Sequence, residues 1–225
     1  MAACLAKPVA NASSVCGILR ALLEKRPQAM TQWNIELTLS IACDLTSPTS
    51  NQSHVSFPWL CRLVEVVIKK HRLRLEGHYH LLLSTLQALM QALVIKTPYS
   101  TTSSENSQET NAHRYARLIT LICEPTAGAV SRSQLHSALD SATDAAKRSA
   151  GRHMYMVLMQ YVKLQLEENV PGSVREALEP AMNSIFDITT PEGRKILNDA
   201  LDASGRTILR EMYKRYVKFG KWSGV

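Results

Sequence analysis

The sequence predicts an all-α protein, and three observations support this fold class. Apolar residues recur every three or four positions along much of the 225-residue chain, which is the period of a helix with one buried face. Only 9 Gly and 9 Pro interrupt the chain, while Leu, Ala and Met, which lose little side-chain freedom in a helix, are frequent. The nearest approach to a strand is LVEVVI, and helical spacing explains this segment equally well.

Four helices are predicted in the first half of the chain. The first stops before Pro27, and the third ends in the basic run KKHRLR, which Gly77 separates from the fourth. The fourth, HYHLLLSTLQALMQALVI, is apolar almost all round and should therefore be buried on most of its faces. These helices are expected over about 15–23, 31–45, 59–74 and 78–95.

The strongest helical patterns of the second half are RYARLITLIC and MYMVLMQYVKLQLEEN, with a weaker one over 133–150 between them. The next helix has the clearest start signal. Ser173 and Glu176 have the spacing of a capping box, in which each side chain satisfies a free backbone N–H. This helix should reach Phe186, with a bend at Pro180.

Two more helices complete the predicted set. Pro191, preceded by Thr190, opens one of them, because Pro at the first helical position loses no hydrogen bond. The last helix, TILREMYKRYVKFG, follows Ser204 and Gly205. We therefore expect a single helical domain over 1–225, built from about eight to ten helices. Antiparallel helix pairs joined by mostly short links predict a right-handed stack similar to HEAT or armadillo architecture.

One segment is predicted to be a flexible surface loop. Residues 97–111, TPYSTTSSENSQETN, contain almost nothing apolar, so burial cannot offset the entropy lost when they are ordered.

The composition argues against several classes of protein. The five Cys are odd in number and form no C-x-x-C pair, so we interpret them as reduced core residues in a reducing compartment. No apolar run is long enough to span a membrane, and the start lacks a secretory signal.

The His and carboxylate residues are the candidates for catalysis and metal binding. His78 and His80 are two positions apart, so on a helix they point in different directions and cannot share an ion. His71 lies in a basic run, which indicates a solvated face. Carboxylate pairs such as Asp140 and Asp144 are routine on surface helices. The sequence therefore predicts no catalytic residue, metal, cofactor or small-molecule substrate, and an all-helical enzyme is the least favoured alternative.

The charge distribution singles out the C-terminal segment. Residues 204–225 hold six Lys or Arg and one Glu, and so contribute +5 of the chain's net +7. We name the cations spaced by four the basic ridge: Arg206, Arg210, Lys214 and Lys218. The other cations of this segment are Arg215 and Lys221, and aromatic rings at Tyr213, Tyr216 and Trp222 lie between the charges.

Two interpretations of the basic ridge stay open. Cations with interleaved rings are typical of a helix that contacts nucleic-acid phosphates, but a solvated face against an acidic protein would look the same. Tyr216 and Phe219 should pack against the body in either case. A second, weaker basic run contains Lys69, Lys70, Arg72 and Arg74.

Several segments together resemble the C-terminal domain of a nucleolar family, the second branch of the Urb/Npa group. The resemblance covers about 55–222 and is most specific in S-G-R-x-I-L-x-x-x-Y-x-x-Y-x-x-F-G-K-W. The residues that carry this motif are Ser204, Gly205, Arg206, Tyr213, Tyr216, Phe219, Gly220, Lys221 and Trp222. Phe186 and Asp187 fit the family's Phe-Asp pair, whereas Pro180 and Ala181 stand where the family has Pro-Gly.

The resemblance implies a role in processing large-subunit pre-ribosomal RNA in the nucleolus, within the nucleus. The implied partners are Npa-type scaffold proteins, a DEAD-box helicase and pre-ribosomal RNA, with no membrane. The charge distribution makes the following residues candidates for contacting RNA or a partner: Arg206, Arg210, Lys214, Arg215, Lys218, Lys221 and Trp222. The remaining motif residues are expected to be structural. The first functional hypothesis is thus a non-catalytic scaffold in pre-60S assembly, and the alternative is a helical-repeat RNA-binding module that acts through its basic last helix.

Overall fold

A computed structural model describes residues 12–46, 57–95, 105–125 and 139–220. Within these ranges the chain forms eleven α-helices and no β-strand, so the all-α prediction is confirmed. The helices of the first half are α1 (Ala12–Lys25), α2 (Gln32–Thr46), α3 (Phe57–Lys70), α4 (Arg72–Leu75), α5 (Tyr79–Val94) and α6 (Glu105–Cys123). Those of the second half are α7 (Leu139–Gly151), α8 (Tyr155–Glu167), α9 (Gly172–Ile188), α10 (Pro191–Ala200) and α11 (Ala203–Arg215). A short 3₁₀ turn covers Pro27–Ala29, and α11 continues into a π-helical turn over Tyr216–Gly220.

The long helices contact one another in two series. In one series α1 packs on α3, α3 on α6 and α6 on α9; in the other α2 packs on α5, α5 on α8 and α8 on α11. Each helix of the two series therefore contacts the one two places further along the chain, when α4, α7 and α10, which belong to neither series, are not counted. The handedness of the stack and its likeness to HEAT or armadillo repeats stay predictions.

Helix α5 lies at the centre of the apolar core. Leu82, Leu86, Leu89 and Met90 are all fully buried, as the near-continuous apolar sequence predicted. Full burial of each such side chain stabilises the fold by about 1.5–3 kcal/mol. Polar groups in this region are paired, since the Thr85 hydroxyl donates to the Leu39 carbonyl at 3.1 Å and the Tyr115 hydroxyl donates to the Leu86 carbonyl at 3.0 Å.

The two residues after α3 join three helix ends. The last carbonyl groups of any α-helix lack partners within the helix. Nε2 of His71 lies 3.1 Å from the Leu23 carbonyl in the last turn of α1. The Arg72 guanidinium donates to the carbonyls of Leu121 and Ile122, at 2.9 and 2.7 Å, in the last turn of α6. The C-terminal ends of α1, α3 and α6 therefore lie together.

This arrangement corrects one sequence-based interpretation. The sequence predicts His71 on a solvated face, but this residue is only 3% exposed. Arg72 belongs to the weaker basic run, where Leu73 and Leu75 argue partly for packing, and it is only 4% exposed. Burial lowers the pKa of His71, so the imidazole is neutral at pH 7 and can donate to Leu23 from Nε2. Burial also lowers the pKa of Arg72, whose charge faces the negative end of the α6 dipole.

Two predicted boundaries differ from those in the structure. The polar segment 97–111 is not a loop throughout, because α6 begins at Glu105; residues 96–104 lie outside the described ranges. Ser173 does not cap a helix, because α9 already begins at Gly172 with Pro171 at the cap position and no side-chain hydrogen bond there. Pro180 lies inside α9 as predicted.

The described cysteines are free thiols, as predicted. Cys16, Cys61 and Cys123 are buried and Cys43 is half-buried, while Cys4 lies outside the described residues. Burial raises the pKa of Cys61 to about 12, and it raises the pKa of Cys123 as well, so both stay protonated at neutral pH. In the part of the chain that is described, no helix combines the length and apolarity needed to cross a membrane.

Replacing Arg72 with Met tests whether it ties α6 to α4. We expect Arg72→Met to lower the free energy of unfolding by about 3 kcal/mol, because it strips two carbonyls of their donors. Arg74 lies two residues away, is half-buried and makes no such hydrogen bonds among the described residues. Arg74→Met should therefore change the free energy of unfolding by about 0.5 kcal/mol or less. Urea unfolding followed by circular dichroism measures both. Equal effects of the two substitutions would contradict the capping role.

A glycine at the end of α7 tests the close approach of α7 to α9. A Cβ on Gly151 would overlap the Ile188 carbonyl oxygen, a clash that only a backbone shift can relieve. Gly151→Ala should therefore destabilise the fold by about 1–3 kcal/mol. Gly172→Ala is the matched control, because a Cβ there meets nothing within 4 Å, and it should be neutral or stabilising by up to about 1 kcal/mol. Thermal unfolding distinguishes them, and a neutral Gly151→Ala would refute the close approach.

Candidate functional site

The candidate site is built on α10 and α11, two consecutive helices separated by Leu201 and Asp202. The Thr190 hydroxyl accepts a hydrogen bond from the Gly193 amide at 3.1 Å and so caps α10, whose first residue is Pro191 as predicted. The Asp202 carboxylate accepts from the Gly205 amide at 2.7 Å and caps α11. Helix α11 thus begins two residues earlier than Gly205, and both Ser204 and Gly205 belong to its first turn. In the sequence, the missed signal for this start is Asp202, three residues before Gly205, because Asp is a preferred N-cap residue.

An aromatic cluster holds the end of α11 against α9. Tyr216 is buried, and its ring centroid lies 5.3 Å from that of Phe186 and 5.7 Å from that of Tyr213. The Phe186 and Tyr213 rings meet edge to face at 5.6 Å. The Tyr216 hydroxyl donates a short hydrogen bond to the Asp187 carboxylate. The family pair Phe186 and Asp187 therefore contacts the C-terminal motif directly.

The π-helical turn brings Gly220 close to α9. A Cβ at this position would lie 2.8 Å from Nδ2 of Asn183 and 3.0 Å from the Tyr216 ring. Such widened turns are uncommon in helices and are found frequently at functional sites. Here the turn allows Tyr216 and Gly220 to face the same helix.

The described cations of the C-terminal segment are mostly exposed. Arg210, Lys214 and Lys218 are exposed, and Arg206 is half-buried with Nε 3.3 Å from the Asp202 carbonyl. Lys214 pairs with Glu211 at 2.6 Å, an exposed ion pair of the kind that contributes about 0–1 kcal/mol. Arg210 has no ion-pair partner among the described residues. This surface is therefore free to meet anionic groups.

Arg215 differs from the ridge because it is tied to the body. Its guanidinium lies 2.7 Å from the Glu179 carboxylate on α9. The pair lines a cleft of about 250 Å³ between α8, α9 and α11, together with Arg175 and Glu176. Two cations and two carboxylates face this cleft, so it is electrically balanced. The ion pair between Arg215 and Glu179 could not be predicted from the spacing of residues along the sequence.

Phe219 corrects the predicted packing. It was expected to pack against the body, but its side chain is 65% exposed, and the Lys218 ammonium lies 4.8 Å from its ring centroid. The expectation assumed a regular helix, whereas the π-helical turn changes the spacing of residues after Arg215. Lys221 and Trp222 lie outside the described residues, so their predicted roles stay predictions.

The described residues bring together no group of three or more His, Cys, Asp or Glu that could hold a metal ion. What the α10–α11 region offers chemically is hydrogen-bond donors, positive charge and partly exposed apolar rings. These groups suit recognition of an anionic partner.

The pH dependence of stability tests the contact between Tyr216 and Asp187. Burial, together with the Asp187 carboxylate, raises the pKa of Tyr216 to about 12 in the folded protein, against about 10 for an ordinary tyrosine. The unfolded chain therefore loses this proton first, so the tyrosine's contribution to stability is complete below about pH 10 and is lost as the pH rises towards about 12.

We expect Tyr216→Phe to lower the free energy of unfolding by about 1 kcal/mol at pH 8. The difference from the wild-type protein should shrink as the pH rises from about 10 to about 12. Urea unfolding at a series of pH values measures this, with Tyr213→Phe, which keeps the hydrogen bond to Asp187, as the control at pH 8. A difference that stays constant up to pH 12 would show that the Tyr216 hydroxyl is not held in this way.

Comparison with known proteins adds the family. No curated protein and no solved structure matches this chain. The model of the Urb2/Npa2 family matches residues 13–225, which include α1 and α2 as well as the region that carries the resemblance. The match covers the aromatic cluster, the π-helical turn and the basic ridge. The chain therefore belongs to the Urb2/Npa2 family of ribosome-biogenesis factors.

Proposed function

We propose that this chain is a non-catalytic scaffold domain in the nucleolus, where it takes part in early pre-60S assembly and in processing of large-subunit pre-ribosomal RNA. Its family membership supports the pathway. The proposed partners are other pre-ribosomal assembly factors, namely Npa-type scaffold proteins and a DEAD-box helicase.

The observation that carries the proposal is the division of α11 into an anchored and an open side. Tyr216 is buried, and Leu209 and Met212 pack partly into the core. The ridge residues Arg210 and Lys214 stay exposed on the same helix. A helix fixed to a rigid body presents its charges at constant spacing, which reduces the entropy lost when a partner binds.

A second candidate function is direct binding of pre-ribosomal RNA by the basic ridge. It is favoured by the exposure of Arg210 and Lys214 beside Tyr213, whose ring is 38% exposed and could stack on an unpaired base. The two functions predict different salt dependence. Phosphate contacts release bound counterions, so RNA affinity would fall steeply with salt, whereas an interface with apolar anchors would respond weakly.

Charge reversal on the ridge tests the interface. Lys214→Glu combined with Lys218→Glu should reduce association with pre-60S particles by at least about tenfold, equivalent to about 1.4 kcal/mol. Both side chains are exposed, so stability should change by about 0.5 kcal/mol or less. Affinity purification from cells followed by quantitative mass spectrometry measures association, and thermal unfolding checks the fold.

The matched control reverses two exposed lysines elsewhere, Lys163→Glu on α8 with Lys195→Glu on α10. This control makes the same change in net charge and should leave association unchanged. Wild-type association of a correctly folded ridge mutant would refute the ridge as an interface. Equal loss in the ridge and control mutants would point to net charge alone.

A further inference from the structure

A groove between α10 and α11 combines an apolar floor with a positive rim. Its volume is about 310 Å³. Phe186, Leu197 and Leu209 line it, and Tyr213 forms part of its edge. Leu197 is fully buried and Phe186 belongs to the aromatic cluster, so the floor is part of the core of the domain. A surface backed by packed core residues is preformed and can receive a side chain without being reorganised.

The rim of this groove carries three cations from two helices. Arg194 comes from α10, whereas Arg210 and Lys214 come from α11. Neither arginine has an ion-pair partner in the described part of the chain, and none of the described residues lining the groove is Asp or Glu. The cleft on the other side of α11 differs in this respect, because its two arginines face two glutamates. Since Lys214 is paired with Glu211, the uncompensated positive charge of the α10–α11 groove belongs to Arg194 and Arg210, whereas the charges that line the other cleft balance.

From this geometry we infer that the α10–α11 groove binds an acidic peptide segment of a partner protein, which inserts one or two large apolar side chains. The apolar floor receives the anchor, and flanking Asp or Glu residues pair with Arg194 and Arg210. Central apolar anchors with charged surroundings are the usual division of roles in protein interfaces. The inference rests on the proposed scaffold function and names the site and the partner chemistry.

RNA fits this groove less well than an acidic peptide. Sequence-specific binding of unpaired bases needs hydrogen-bonding groups at their edges. Among the described residues that line the groove, Asn198 is the one uncharged polar side chain other than Tyr213. Phosphates could pair with the rim but would leave the apolar floor uncovered. A Leu or Phe side chain flanked by carboxylates satisfies both parts at once.

Selection from a random library of displayed peptides tests the inference, because it does not require the partner to be identified first. The full chain is immobilised, and bound peptides are compared with those recovered on the Arg194→Glu, Arg210→Glu double variant. Peptides that depend on the groove should carry net negative charge and at least one Leu, Ile, Met, Phe or Trp. The charge-reversed variant should bind them at least about tenfold more weakly by fluorescence anisotropy.

Two controls separate the groove from general charge. The Lys163→Glu, Lys195→Glu variant makes the same change in net charge outside the groove lining and should bind the selected peptides within about twofold of the wild-type affinity. Replacing the apolar anchor of a selected peptide with Ser should also weaken binding by at least about tenfold. Both substitutions in each protein variant lie at exposed positions, so thermal unfolding should show an intact fold.

Several outcomes would overturn the inference. These are recovery of no peptide that depends on the groove, selection of basic or neutral peptides, equal weakening in the two charge variants, and binding that survives loss of the anchor. If the groove variant loses affinity for a single-stranded RNA of about 20 nucleotides while its peptide binding is unchanged, the groove binds RNA instead of an acidic peptide. If no acidic peptide binds the groove but the chain still associates normally with pre-60S particles, the peptide-binding role of the groove is rejected. The proposed scaffold function is then unaffected.

Discussion

The unpaired carbonyl groups at helix C-termini are the constraint on which this helix arrangement depends. A buried carbonyl without a donor is costly, by about 1–3 kcal/mol for each group. At α1 and α6 the chain avoids this cost, because two consecutive side chains directly after α3, His71 and Arg72, bind the carbonyl groups. Because both side chains originate at one helix end, the ends of the two neighbouring helices must come to it. The capping bonds therefore hold the C-terminal ends of three helices together at once.

Further along the chain, helices are joined by hydrogen bonds from side-chain hydroxyls to carboxylates. The Ser184 hydroxyl of α9 donates to the Glu124 carboxylate just after α6, at 2.7 Å. Tyr216, after α11, donates to Asp187 near the end of α9. Apolar burial supplies most of the stabilisation but is not directional, whereas each of these polar bonds is satisfied in only one register. The position of α11, and with it that of the basic ridge and of the α10–α11 groove, is thus determined through α9.

The sequence predicted the helices well because their periodicity is a local property. It failed where a residue's environment is set by distant parts of the chain. KKHRLR carries the composition of a solvated basic segment, but His71 and Arg72 meet carbonyls 48 to 50 residues away. The polar start of α6 has the composition of a loop because its sequence lacks an apolar face, although Gln108 donates to the Leu93 carbonyl on α5 at 3.0 Å.

The candidate site was predicted in part for the same reason. The cations of α11 could be identified from their spacing, and the buried Tyr216 from its place among them. Phe219 could not be placed, because a π-helical turn is invisible to an argument based on 3.6 residues per turn. The groove was missed altogether. Its floor joins Phe186 of α9, Leu197 of α10 and Leu209 of α11, and no single-helix pattern contains all three.

The basic ridge and the α10–α11 groove share residues of α11, so the two surfaces could influence each other when partners bind. Arg210 and Lys214 belong to both surfaces, so an acidic segment held in the groove would neutralise charge that RNA could otherwise use. Binding of a protein at the groove and of RNA at the ridge should then oppose each other, by an amount equal in both directions because the coupling is a free energy. The coupling would be carried by two shared side chains on a helix held rigidly by Tyr216. It would therefore require no change of fold.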